Sequence, residues 1–316
     1  MENNQSNKEI GKGLIFLNGA LVVAVILMVF VIYSKINKNI NNGEDNIITK
    51  EDVPKAFKEI SLLAKSAYVY DLVNDDVIYS KDETIQLPLA SITKLMTALT
   101  AVNLIPKDSK ITIRKEFLEE EGDTGLLANE SWKLEDLLDF SLMVSSNDGV
   151  RSVASVIGAF DLKSQDYDLG RKGFITKMNK KALELGLTQT YFINESGLDL
   201  GGVSGGYGSA EDISKLVEYI LKNNPEILEA TKYKTLNIDS QSKTHVAKNT
   251  NTSLDSIPGL IASKTGFTEM AGGNLVVVFS SSLGRPIIVV ILGSTVEGRF
   301  IDMKKLVDAS LEYISS

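Results

Sequence analysis

The chain has 316 residues, 43% of them hydrophobic and 23% charged, which is a globular composition with room for one large domain or two modest ones. Its net charge of −8 argues against a nucleic-acid partner, because phosphate binding needs a basic face. The absence of cysteine excludes disulfides, thiolate metal sites and cysteine nucleophiles, and a single histidine, His245, excludes multi-histidine metal sites.

Residues 1–12 are polar and read as a cytoplasmic tail. From Gly13 to Tyr33 the chain is apolar apart from Asn18 and carries no charge, long enough for a helix to span a bilayer. The run leaves through Val31-Ile32-Tyr33-Ser34-Lys35 without a small-residue cleavage pattern, so an uncleaved anchor at 13–33 is expected. Lysines flank both ends. The short N-terminal flank and the large C-terminal part point to a domain outside the cell membrane. Residues 34–60, rich in Asn, Asp, Glu and Gly over much of their length, read as a linker, and 61–316 as the catalytic domain.

Within that domain, Ser66–Leu72 and Val77–Ser80 form a strand hairpin about Asn74-Asp75-Asp76. A buried helix is expected to begin near Ser91, in Pro88-Leu89-Ala90-Ser91-Ile92-Thr93-Lys94-Leu95-Met96. A second runs over Lys133–Val144, where Leu134, Leu137, Leu138 and Leu142 recur at helical spacing. Asn274–Ser280 and Pro286–Gly293 make a second hairpin around Leu283-Gly284-Arg285, and a last helix covers Glu297–Tyr313. Strands at both ends with helices between predict an α+β domain, one antiparallel sheet assembled from the two ends with helices packed on it.

The chemistry is read from the first buried helix. Ser91 and Lys94 lie at i and i+3, so they share a face of its first turn at the positive end of the helix dipole. His245 sits in the polar run Ser242–Asn249 with no nucleophile-elbow motif nearby, so a surface or strand position is expected for it, and Lys94 is the available base for Ser91. A lysine serves as a base only if desolvation or a neighbouring cation lowers its ammonium pKa. The site therefore needs a second cation and further hydroxyl or amide groups. Two segments offer them: Val144-Ser145-Ser146-Asn147-Asp148-Gly149 and Ala262-Ser263-Lys264-Thr265-Gly266-Phe267-Thr268.

S-x-x-K, S-x-N and K-T-G in this order resemble the signature of penicillin-binding proteins and class A β-lactamases. S-x-x-K alone is weak, since Ser240-Gln241-Ser242-Lys243 also matches, in a polar stretch with no apolar helix behind it. The resemblance extends to Ala67–Asp71, Leu87–Ala98, Asn194-Glu195-Ser196-Gly197-Leu198-Asp199, Ser209-Ala210-Glu211-Asp212 and Ala271-Gly272. From about Ser66 to Gly293 the chain is similar to the D-alanyl-D-alanine carboxypeptidases, the low-molecular-mass penicillin-binding proteins of peptidase type S11.

That resemblance implies the serine β-lactamase and penicillin-binding-protein fold, with helices on both faces of the sheet. It implies Ser91 as the acylated nucleophile, Lys94 as its base and Ser145 as a proton relay. Asn147 would hold the substrate amide, while Lys264 and Thr265, with Thr268, would hold its terminal carboxylate. Gly266 would let substrate backbone approach the strand, and the N–H groups of Ser91 and Phe267 would form the oxyanion hole. The implied partners are a peptidoglycan stem peptide ending in D-Ala-D-Ala and β-lactams as covalent inhibitors, with no metal and no cofactor. Departures from the pattern are Ser146, where glycine is frequent, Phe267, where histidine or tyrosine is common, and an expected lack of the extra C-terminal domain of many relatives.

A serine β-lactamase is the nearest alternative, and Glu195-Ser196-Gly197-Leu198-Asp199 echoes its E-x-x-L-N segment without the asparagine. A catalytically silent penicillin-binding or wall-sensing module is the other. The Gly-rich run Gly201–Gly208 lacks the G-K-[ST] of a nucleotide loop and reads as a flexible loop near the cleft.

Overall fold

β-branched residues run almost without interruption in the C-terminal part of the chain, and there the sheet has its centre. A computed structural model describes residues 54–281 and 284–316. The expected tail, the apolar run at 13–33 and most of the linker lie outside the described residues. Among the described residues no helix is long and apolar enough to cross a membrane.

Five strands form the main sheet: β1 (Ser66–Asp71), β2 (Asp76–Lys81), β3 (Leu260–Thr268), β4 (Gly272–Ser280) and β5 (Pro286–Ser294). Their order is β3-β4-β5-β1-β2, every pairing antiparallel. The two ends of the domain meet where β1 pairs with β5, from Ser66 opposite Leu292 to Asp71 opposite Ile287. This is the sheet expected from the sequence.

Alternation along the strands divides the apolar residues between two faces. Val276, Val278, Ile288, Val290 and Leu292 join one core with the helical lobe. Leu275, Val277, Phe279, Ile287, Val289 and Ile291 face the other way, against Met303, Leu306 and Val307 of the C-terminal helix. Helices thus cover both faces, and each buried aliphatic side chain contributes about 1.5–3 kcal/mol. Residues 54–60, at the end of the expected linker, belong to this body: Phe57 is 2% exposed and stacks on Tyr79 at 5.2 Å.

Among the described residues, six helices are longer than ten residues: α1 (Lys94–Leu104), α2 (Leu134–Val144), α3 (Asn147–Asp161), α4 (Tyr167–Glu184), α5 (Ala210–Asn223) and α6 (Gly298–Ser315). Helix α1 is buried on all sides from Lys94 to Ala101, as expected of a helix with no polar face. A 3-10 turn, Ala90–Thr93, leads into it, so Ser91 stands one tight turn before the α-helix and not inside it. The Gly201–Gly208 run departs from the expected flexible loop at its end. Gly206–Gly208 is a strand paired with Leu87–Pro88 and Tyr191–Phe192. A side chain at Gly206 would come within 2.6 Å of Thr93 Oγ1, so its glycine permits close packing.

Candidate active site

Three parts of the fold bring the three motifs together. The first is the turn before α1. Lys94 is fully buried, and its Nζ lies 2.9 Å from Ser91 Oγ. The same Nζ donates to Asn147 Oδ1 and to the Ser196 carbonyl, each at 2.7 Å.

The second part is the corner between α2 and α3. Helix α2 ends with Ser145 in the left-handed conformation (φ 61°), and Ser146 caps α3 by accepting the Gly149 N–H. This two-residue corner turns Ser145 and Asn147 toward the cleft. Asn147 Nδ2 donates to the Glu121 carbonyl at 2.7 Å, which orients its amide so that Oδ1 meets Lys94.

The third part is the free edge of β3. Lys264 is 2% exposed, and its Nζ donates to Ser145 Oγ at 3.0 Å and to the Thr265 carbonyl at 2.8 Å. Thr265 Oγ1 shares a hydrogen with Thr250 Oγ1 at 2.5 Å. At Gly266 a β-carbon would sit 2.9 Å from the Leu89 carbonyl oxygen and 3.2 Å from the Ser91 nitrogen. Glycine here lets β3 lie against the turn that carries Ser91. Phe267 follows, 46% exposed. The Thr268 hydroxyl donates to Asp199 Oδ1 at 3.0 Å and accepts the Ala271 N–H at 3.2 Å.

Burial pulls the Lys94 ammonium down to about 7, with the carboxylates of Glu195 and Glu120 acting in the opposite direction. Lys264 is also held well below the ordinary lysine value, by burial first and then by Lys94 and Arg299. A neutral amine has two N–H donors and one lone pair. The Asn147 amide oxygen and the Ser196 carbonyl can only accept, so they take the two hydrogens and leave the lone pair of Lys94 for the Ser91 hydroxyl.

The remaining candidates lie elsewhere. His245 is on a strand, Thr244–Lys248, but is buried, its Nε2 2.6 Å from Glu130 Oε1 and its ring 4.8 Å from that of Trp132. It belongs to the core. Ser240 to Lys243 forms the exposed end of that hairpin. Glu195 presents no free carboxylate, being fully buried and paired with both Nε and Nη2 of Arg171 at 2.9 Å.

Sequence reasoning missed Thr250, Arg171 and Arg299. Arg299 is 8% exposed, and its Nη1 donates to the Gly266 carbonyl at 2.8 Å. Each is a single residue in an ordinary helix or loop, with no local pattern to single it out.

Residues 53–295 match the model of the Peptidase S11 family, D-alanyl-D-alanine carboxypeptidase. The chain is 28% identical over 236 residues to the D-alanyl-D-alanine carboxypeptidase DacB2 of Mycobacterium tuberculosis, covering 74% of this chain and 77% of that one. To the D-alanyl-D-alanine endopeptidase of Escherichia coli it is 33% identical over 217 residues, 67% of this chain and 65% of the relative. The ampicillin-bound penicillin-binding protein D2 of Listeria monocytogenes superposes with a TM-score of 0.67 at 31% identity, over 79% of this chain and 98% of that one. The fold is therefore the mixed α/β architecture of penicillin-binding proteins and β-lactamases, and the class is serine hydrolase. Within that class, the chain belongs to the S11 family of D-alanyl-D-alanine carboxypeptidases.

Proposed function

We propose that this protein removes the terminal D-alanine from peptidoglycan stem pentapeptides through an acyl-enzyme on Ser91. The observation that carries the reading is the buried Lys94 amine, 2.9 Å from Ser91 Oγ, with both acceptors on its other side. In the first step Lys94 takes the Ser91 proton while Oγ attacks the carbonyl of the penultimate residue. The tetrahedral oxyanion is held by the N–H groups of Ser91 and Phe267. Collapse breaks the peptide bond, and the leaving D-alanine nitrogen receives a proton through Ser145. Water, deprotonated by the same lysine, then hydrolyses the ester and frees Ser91.

Asn147 holds the amide of the acyl donor. Lys264 and Thr265, with Thr268, hold the carboxylate that marks the peptide end, so the reaction requires a free C-terminus. A β-lactam reacts by the same first step, but its leaving nitrogen stays tethered in the cleft and the ester clears slowly. The catalytic domain is carried outside the cell membrane by the apolar anchor at 13–33 and the linker that follows it. The Glu195 ion pair favours this reading over a β-lactamase, because a carboxylate bound on both oxygens by Arg171 is a poor activator of deacylating water.

Mass spectrometry of a pentapeptide ending in D-Ala-D-Ala, incubated with the purified protein, tests the proposal. The expected product is the tetrapeptide, absent with Ser91→Ala. Intact peptide from folded wild-type protein overturns it. Steady turnover of a chromogenic cephalosporin, in place of a single stoichiometric burst, assigns the protein to the β-lactamases.

A further inference from the structure

A chain of charges borders Lys94 that none of the three motifs contains. Glu195 Oε2 accepts from Arg171 Nε at 2.9 Å, and its Oε1 lies in an ion pair 2.9 Å from Arg171 Nη2. Arg171 Nη2 also reaches Glu120 Oε1 at 3.3 Å, and Arg151 Nη1 reaches that oxygen at 3.1 Å. The Glu120 N–H donates to Asp148 Oδ1 at 3.1 Å. The network joins α3, α4, the loop that holds Glu120 and the Asn194–Asp199 segment.

Each end of this network abuts one acceptor of the Lys94 amine. Glu195 precedes Ser196, whose carbonyl takes a bond from Nζ. The carbonyl of Glu195 itself accepts from Thr97 Oγ1 at 2.7 Å, three residues along α1 from Lys94. At the other end Glu120 precedes Glu121, whose carbonyl orients the Asn147 amide. A fully buried carboxylate needs its partner, and at short range in a poorly solvated site its charge acts strongly on a neighbouring amine.

We infer that Glu195, Arg171 and Glu120 are positioning residues for the general base. Together they hold the Ser196 carbonyl and the Asn147 amide oxygen on Lys94 Nζ, and the charge of Glu195 opposes release of a proton from that nitrogen. This rests on the reading of Ser91 and Lys94 as nucleophile and base. The charged groups that act on Lys94 are Glu195 and Glu120, and its charge is felt by Lys264 of β3, which Arg299 of α6 also faces. Behind the two glutamates stand Arg171 of α4 and Asp148 and Arg151 of α3. Glu195 and Glu120 act to keep the proton on Lys94.

The test follows acylation of the full-length protein by a fluorescent penicillin between about pH 5 and 9, the range around the lowered lysine value. Glu195→Gln keeps the shape and a bond to Arg171 but removes the charge, so the acid limb moves down by about one pH unit. Arg171→Gln strips the carboxylate of its guanidinium and moves the limb up by about as much. The double variant returns toward the wild-type profile. Glu120→Gln, at the partly exposed end, moves the limb in the same direction as Glu195→Gln but by less, and stands in if the buried variants do not fold. Lower plateau rates with an unmoved midpoint in both Glu195→Gln and Glu120→Gln overturn the inference and leave the network a packing feature. Wild-type protein that is not acylated at any pH removes the assignment of Ser91 and Lys94 instead.

Discussion

Asn147 Oδ1 accepts a hydrogen bond from Lys94 Nζ at 2.7 Å, across 53 positions of the chain. This bond joins the helical corner to the turn that carries Ser91, and it fixes where the lone pair of a neutral Lys94 points. Truncation to Asn147→Ala frees one N–H of the amine to turn toward Ser91. Acylation by a fluorescent penicillin should fall about 100-fold, a general-base effect, while the far-ultraviolet circular dichroism is unchanged. An undiminished rate would show that the amine needs no such acceptor.

Because burial brings the Lys94 ammonium to about 7, from an ordinary value of 10.5, activity should climb as the pH passes about 7 and then level off. The same depression has a stability consequence. Between the folded and unfolded values the unfolded chain holds the proton and the folded chain does not, so this lysine makes stability rise with pH across that window. Compared with Lys94→Met, the wild-type Tm should therefore gain as the pH goes from about 7 to about 10. A constant difference in Tm between the two proteins would contradict a lowered Lys94.

Asp139 on α2 has the opposite sign. Burial, followed by Asp136, Glu135 and Glu229, raises its carboxyl from 3.8 to about 7. Here the folded chain binds the extra proton, and stability declines as the pH rises through that interval. Asp139→Asn should raise Tm at neutral pH and bring no gain near pH 4, in thermal melts at the two values.

Gly197 combines a φ of +82° with a β-carbon position 1.8 Å from the Ala90 carbonyl oxygen. Gly197→Ala pushes the Asn194–Asp199 segment off the Ala90–Thr93 turn. Urea unfolding should show a loss of about 3 kcal/mol, with acylation of any folded fraction strongly slowed. A stable, active variant would mean that the segment is free to shift.

Thr265 and Thr268 are proposed to share the substrate carboxylate, yet Thr268 is already engaged by Asp199 and by the Ala271 N–H. Thr265→Val should raise KM for the pentapeptide about tenfold or more, the loss of one hydrogen bond to a charged group. Thr268→Val should raise it by no more than about threefold. Steady-state kinetics on both variants separates the two contributions, and equal effects would place the carboxylate between them.

The sequence determined the candidate reacting groups and the frame that carries them. One histidine and no cysteine left lysine as the candidate base for Ser91, and the three motifs in order, together with the segments at Ala67–Asp71, Leu87–Ala98 and Asn194–Asp199, sufficed to name the family. Runs rich in β-branched and aromatic residues at both ends sufficed for the sheet, because such residues favour an extended strand locally. Glu195, Arg171 and Glu120 were not legible in this way. Their meaning depends on distances between helices, and an isolated charge on α4 reads as solvated surface until folding buries its partner. Only the tertiary structure removes water from around Lys94 and supplies its two acceptors, and that desolvation turns an ordinary ammonium into an amine able to accept a proton.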